Sequence, residues 1–118
     1  MTNALIYHMC REDEWMSAKV NGRYTGSSQD VADGFIHFST SVQLRKSAAK
    51  HRAGQTDLVL LTFDPAFFGD ALKWETARDG QLFPHLYGDL NLDALIRCDP
   101  LPLSPDGAHI FPKHIPHE

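Results

Sequence analysis

Six short runs of the chain read as β-strands from the spacing of their apolar and polar residues. Ala4 to Met9 puts Leu5, Tyr7 and Met9 on one face and Ile6 and His8 on the other. Gly34 to Ser39 sets Phe35, His37 and Ser39 against Ile36 and Phe38. Leu58 to Phe63 is apolar on both faces, as a strand covered on both sides must be. Leu72 to Thr76, Leu82 to Tyr87 and Ile96 to Leu101 complete the set, with Phe83, His85 and Tyr87 sharing a face of the fifth run. Asp64-Pro65 ends the third run, and Asp79-Gly80 supplies a hairpin turn between the fourth and fifth.

Between these runs the period lengthens. Arg11-Glu12-Asp13-Glu14 is an acid-rich first turn suited to a helix N-terminus, continued by Trp15, Met16 and Val20 and closed by Asn21-Gly22. Thr40, with Gln43 three residues on, is a capping-box signature for a helix through Arg52. His37 and Ser39 then lie at the carboxyl end of a strand, just before a helix N-terminus that offers free N–H groups and a favourable dipole to an anion. Tyr24 to Asp33 is small, polar and glycine-containing, a surface loop of about ten residues, long enough to suggest a function. Pro65 to Asp70 and Asn91 to Ala94 fit single turns, and the proline-rich tail from about 100 to 118 reads as a loosely packed surface strap.

The chain has 118 residues, enough for one domain over 1–118 with one sheet-and-helix core. Its net charge of −4 comes from acids and bases mixed along the sequence, which disfavours nucleic acid as a partner. No run reaches transmembrane length and no signal region is evident, so a cytoplasmic protein without membrane contact is expected. Cys10 and Cys98 have no ligand spacing and are expected to be reduced packing residues.

The candidate chemistry lies in the apolar runs. His8, His37 and His85 sit where a domain normally places its core, and titratable groups there need partners. They are open to four readings: ligand contacts, a proton relay, a metal triad, or core histidines satisfied by backbone carbonyls. His51, His109, His114 and His117 are expected to be solvated. Glu75, beside Trp74, is either an exposed strand carboxylate or a group that stabilises positive charge, as on an oxocarbenium-like sugar centre. Trp74 and Tyr87 fit a core or a binding platform, Tyr87 sharing its face with His85. Ser39 either donates to a ligand or supports the turn into the helix. The sequence contains no nucleophile elbow, H-E-x-x-H, phosphate loop or dinucleotide glycine fingerprint.

Four of these runs carry a resemblance: Ile6-Tyr7-His8, Gly34-Phe35-Ile36-His37-Phe38-Ser39, Leu72-Lys73-Trp74-Glu75 and Phe83-Pro84-His85-Leu86-Tyr87-Gly88. On them the chain resembles the bacterial and plant family catalogued as domain of unknown function 952. More distantly, Tyr7-His8 is similar to the opening of ADP-ribosyltransferase-like proteins, and Ile36-His37-Phe38-Ser39 to a motif of their RNA 2′-phosphotransferase branch. That branch has an arginine before its second histidine, where this chain has Asp33-Gly34-Phe35, and glycine and threonine after the first, where it has Met9-Cys10.

The resemblance implies an α+β, ADP-ribosyltransferase-like fold of two small antiparallel half-sheets with flanking helices around an NAD cleft. It implies that His8 contacts a ribose hydroxyl and that Glu75 lies near the position of a catalytic glutamate. His37, Ser39, His85 and Tyr87 are expected to line the cofactor site, and a small-molecule ligand such as NAD is the expected partner of a transferase or glycohydrolase. Two alternatives stand beside this reading. One is a metal-dependent enzyme built on His8, His37 and His85 with Glu75 as base, and the other is a non-catalytic ligand-binding module.

Overall fold

The structure, a computed structural model, describes residues 5–77 and 80–115. It is α+β, with two antiparallel sheets and a few helices. The four-stranded sheet runs in the order β3 (Ser39–Thr40), β1 (Ile6–Arg11), β4 (Leu58–Phe63), β7 (Leu95–Leu101). The three-stranded sheet runs β2 (Ile36–His37), β6 (Leu82–Leu86), β5 (Leu72–Thr76). The helices are α1 (Glu12–Asn21), α2 (Ser28–Asp33) and α3 (Ser41–His51), with 3-10 turns at Pro65–Ala71 and Leu92–Ala94.

β4 is buried along its whole length, and its two faces feed two cores. Val59, Leu61 and Phe63 join Ile6 and Cys10 of β1, Trp15 and Ala18 of α1, and Ile36, Leu72 and Leu86 of the smaller sheet. Leu58 and Leu60 join Tyr7, Leu44 of α3, Leu101 and Ile115. The expected alternation of β1 therefore holds, with Ile6 and Tyr7 in different clusters. Pro100 has no N–H to give, and it sits on β7, at the edge of its sheet.

The helix ends follow the local chemistry. The Arg11 N–H donates to Glu14 Oε1 (2.9 Å) at the start of α1. Thr40 and Gln43 bond reciprocally at the start of α3, where Gln43 N–H donates to Thr40 Oγ1 (3.3 Å) and Thr40 N–H to Gln43 Oε1 (3.0 Å). That box occupies donors that the sequence suggested were free for an anion. On α1 the core takes Trp15 and Ala18, while Met16 and Val20 face outward.

Three expectations need correction. The run Gly34 to Ser39 is not one strand, because Ile36–His37 pairs with β6 while Ser39–Thr40 pairs with β1. The chain changes sheets at buried Phe38, whose N–H donates to the Pro84 carbonyl (3.0 Å). The stretch Tyr24 to Asp33 is not simply a surface loop: its second half is α2, and Tyr24, Ser27 and Asp30 are buried. The tail is anchored, since Ile115 is buried, Arg45 donates to its carbonyl (3.2 Å), and the same guanidinium lies over the Phe111 ring. In the β5–β6 hairpin the Ala77 N–H donates to the Gln81 carbonyl (2.8 Å), and Gly80 has φ +74°; Asp79 of the expected turn lies outside the described residues.

Candidate functional site

Asp30 is a carboxylate only 3 % exposed, and it is fully engaged. One oxygen accepts from the Ser27 N–H (2.8 Å) and hydroxyl (3.0 Å). The other accepts from the His37 N–H (3.1 Å) and lies 2.5 Å from His37 Nδ1. Burial alone would raise its pKa, but the His37 ring, the facing His8 and the two backbone N–H groups outweigh burial and hold it at about 2. Gly26 makes room for it: with φ +104°, a Cβ there would stand 2.6 Å from Asp30 Cβ. The other ring nitrogen of His37, Nε2, is 3.1 Å from Asp33 Oδ2, so two carboxylates of α2 fix the ring.

His8 is sealed. Burial, its largest influence, lowers its pKa, so the ring is neutral at pH 7. Nδ1 lies 2.6 Å from the His37 carbonyl, which only accepts, so Nδ1 carries the proton. Nε2 then accepts from the Tyr24 hydroxyl (2.7 Å), and Asp30 Oδ2 is 3.6 Å away. The ring ties β1 to β2 across the two sheets. Burial also pushes Tyr24 upward and the neighbouring Cys10 thiol up to about 12, leaving both protonated. Cys98, expected to pack, is exposed on β7.

On the smaller sheet, His85 stands directly across from His37, with ring centroids 5.4 Å apart. Phe35 stacks on His85 at 4.1 Å and 26°. Nδ1 of His85 is 2.8 Å from Glu75 Oε1, and the Tyr87 hydroxyl donates to the same oxygen (2.7 Å). These two hydrogen bonds, His85 first, lower the Glu75 pKa.

The two sheets part where the chain leaves β2 for β3, and a cleft of about 690 Å³ opens there. One wall carries Asp30, Asp33, Phe35, His37, Phe83 and His85, and the other carries Ser47, His51, Arg52 and Gln55 of α3 and the turn after it. Tyr7, His8, Met9 and Ser39 lie between them. Arg52 donates to the Met9 carbonyl (3.0 Å) and to Gln55 Oε1 (3.1 Å), which aligns its guanidinium along β1. Ser39 donates to Ser47 (3.2 Å).

The model of a family described as a protein of unknown function, DUF952, matches residues 9–98. The chain belongs to the DUF952 family. Among solved structures it is similar to the CC0527 protein of Caulobacter crescentus, at 43% identity and a TM-score of 0.90 over 94% of this chain and 97% of that one in the crystal structure. The solution NMR structure of CC0527 matches at 45% identity and a TM-score of 0.79, over 88% of this chain and 90% of that one. No curated protein matches.

Of the residues singled out from the sequence of this DUF952 chain, His8, His37, Ser39 and His85 line one cleft, whereas Glu75 and Tyr87 do not line it and stand beside His85. The histidine metal triad fails on geometry: both nitrogens of His8 are taken by His37 and Tyr24, so the three imidazoles cannot converge. His109 is not simply solvated, since its Nε2 lies 2.9 Å from the Gln55 carbonyl. His51 belongs to the cleft wall, and His117 lies outside the described residues. Sequence reasoning missed Tyr24, Asp30 and Arg52. Ser27 and Asp30 have capping-box spacing that signals the buried acid; nothing local signals Tyr24.

Proposed function

We propose that the DUF952 cleft binds NAD or a related ribose-phosphate ligand, as part of an ADP-ribosyltransferase-like fold. The observation that carries this reading is the cleft itself. Its volume falls in the range of about 300–1,000 Å³ usual for small-molecule sites. Its two walls also differ in chemistry, with Arg52 and His51 on one side and a carboxylate-backed histidine and aromatic wall on the other. Two antiparallel sheets that diverge around such a cleft support the fold assignment.

The residues present fit the ligand class. The Arg52 guanidinium has donors beyond its two protein contacts and would hold a phosphate. Phe35, Phe83 and His85 offer flat surface to a base or a pyridine ring. Both ring nitrogens of His37 are held by carboxylates, so it would present Asp33 to the ribose rather than bond it directly. The Ser39 oxygen, whose proton goes to Ser47, would accept from a ribose hydroxyl. His8 supports the site from behind by fixing the His37 carbonyl and Tyr24. NAD would supply an activated glycosidic bond.

The test is thermal unfolding with NAD and, separately, ADP-ribose. At ten times Kd a ligand stabilises by RT ln 11, about 1.4 kcal/mol, a rise of about 4–8 °C for a chain of this size. Arg52→Met should reduce that rise at the same ligand concentration while the variant remains folded. No shift in wild type with either ligand at several millimolar would refute the reading.

A further inference from the structure

We infer that His85 is the proton acceptor of the cleft and that Glu75 is a positioning residue acting through it. The inference rests on the cleft being a ligand site, whichever ligand fills it. The sequence suggested that Glu75 acts directly on a ribose cation. Its surroundings indicate otherwise: it does not line the cleft, and one of its oxygens, Oε1, takes both His85 Nδ1 and the Tyr87 hydroxyl.

The geometry fixes the imidazole from three directions. Glu75, as a carboxylate, accepts from Nδ1–H, which leaves Nε2 with a lone pair. Phe35 stacks on the ring and sets its plane. The β5–β6 hairpin sets the register, with Lys73 across from His85 and Glu75 across from Phe83, so all four side chains share a face. His85 is 6 % exposed and lines the cleft, and its Nε2 has no partner among the described residues. Among the described residues the buried side-chain polar atom without a partner is Thr62 Oγ1, so the His85 ring meets the cleft rather than a dry interior.

In the step this permits, an O–H in the cleft, from water or a ligand hydroxyl, gives its proton to Nε2. The O–H bond breaks, the Nε2–H bond forms, the oxygen keeps the electron pair, and Glu75 faces the new imidazolium charge. Carboxylate, imidazole and reacting oxygen then stand in line, with the carboxylate holding tautomer and orientation.

The test uses imidazole 15N NMR on the labelled full chain, with amide spectra reporting the fold. Wild type should show His85 protonated at Nδ1 and bare at Nε2. Glu75→Ala should lose that signature, while Tyr87→Phe, which leaves the His85–Glu75 bond in place, should keep it. Diethyl pyrocarbonate should modify His85 at Nε2 in folded wild type. A wild-type His85 protonated at Nε2, a tautomer unchanged in Glu75→Ala, or a ring inert to the reagent would each overturn the inference. Absence of NAD-dependent stabilisation alongside the expected tautomer would defeat the NAD reading and leave the dyad standing.

Discussion

The His8 ring stays neutral because burial opposes a charge there, and that makes it a source of acid sensitivity. Its folded pKa lies below the ordinary value of 6.5, so between the two the unfolded chain binds a proton that the folded chain refuses. Stability from this group is therefore complete above about pH 6.5 and declines as pH falls, by up to about 1.4 kcal/mol per pH unit. Asp30 has the same sign in a lower window: its carboxyl, held at about 2 against an ordinary 3.8, loses its contribution as pH falls from 3.8 toward 2. His8→Asn keeps a donor for the His37 carbonyl and removes the titration. Urea unfolding at pH 7.5, 6.5 and 5.5 should show a steeper loss in wild type than in the variant. Equal slopes would mean that another group carries the dependence.

At the scale of elements, two N-caps invite comparison. The Thr40 hydroxyl caps α3, and although Gln43 also donates to the Leu82 carbonyl (2.8 Å), no buried charge among the described residues depends on this cap, so Thr40→Ala should cost about 1 kcal/mol. Ser27 caps α2 and also donates its hydroxyl to the buried Asp30 carboxylate. Ser27→Ala strips a donor from a buried charge as well as a cap and should cost about 2–3 kcal/mol. Denaturant midpoints of the two variants decide this, and equal losses would mean that Asp30 does not depend on Ser27. The same pair shows what the sequence could and could not reveal. Thr40–Gln43 precedes a helical pattern and was legible; Ser27–Asp30 has the same spacing but introduces only six helical residues without apolar period, too short to be helical alone. The strands were legible from alternation, whereas the change of sheet at Phe38 was not, because the period of two runs unbroken through residues 34–39 while only the partner changes. Phe83, His85 and Tyr87 could be placed on one face, but the contact of Glu75 with His85 depends on cross-strand register, which only the hairpin sets.

For the molecule as a whole, β4 joins what would otherwise be two separate cores. Trp15 lies in the cluster that reaches the smaller sheet, and Ile115 lies in the cluster on the opposite face of β4. If these clusters unfold together, damage to the strap must be felt at Trp15, although the two residues share no cluster. Ile115→Ala removes a fully buried side chain, a loss of about 2–5 kcal/mol. The reporter is the fluorescence of Trp15, measured in a Trp74→Phe background because Trp74 is exposed and would add a signal of its own. Its urea midpoint should fall in Ile115→Ala by the same amount as the midpoint from far-ultraviolet circular dichroism. Lys113→Ala, an exposed change on the same strap, should leave both in place. A Trp15 midpoint that holds while the strap becomes open to protease would instead make residues 102–115 a separately melting layer over α3.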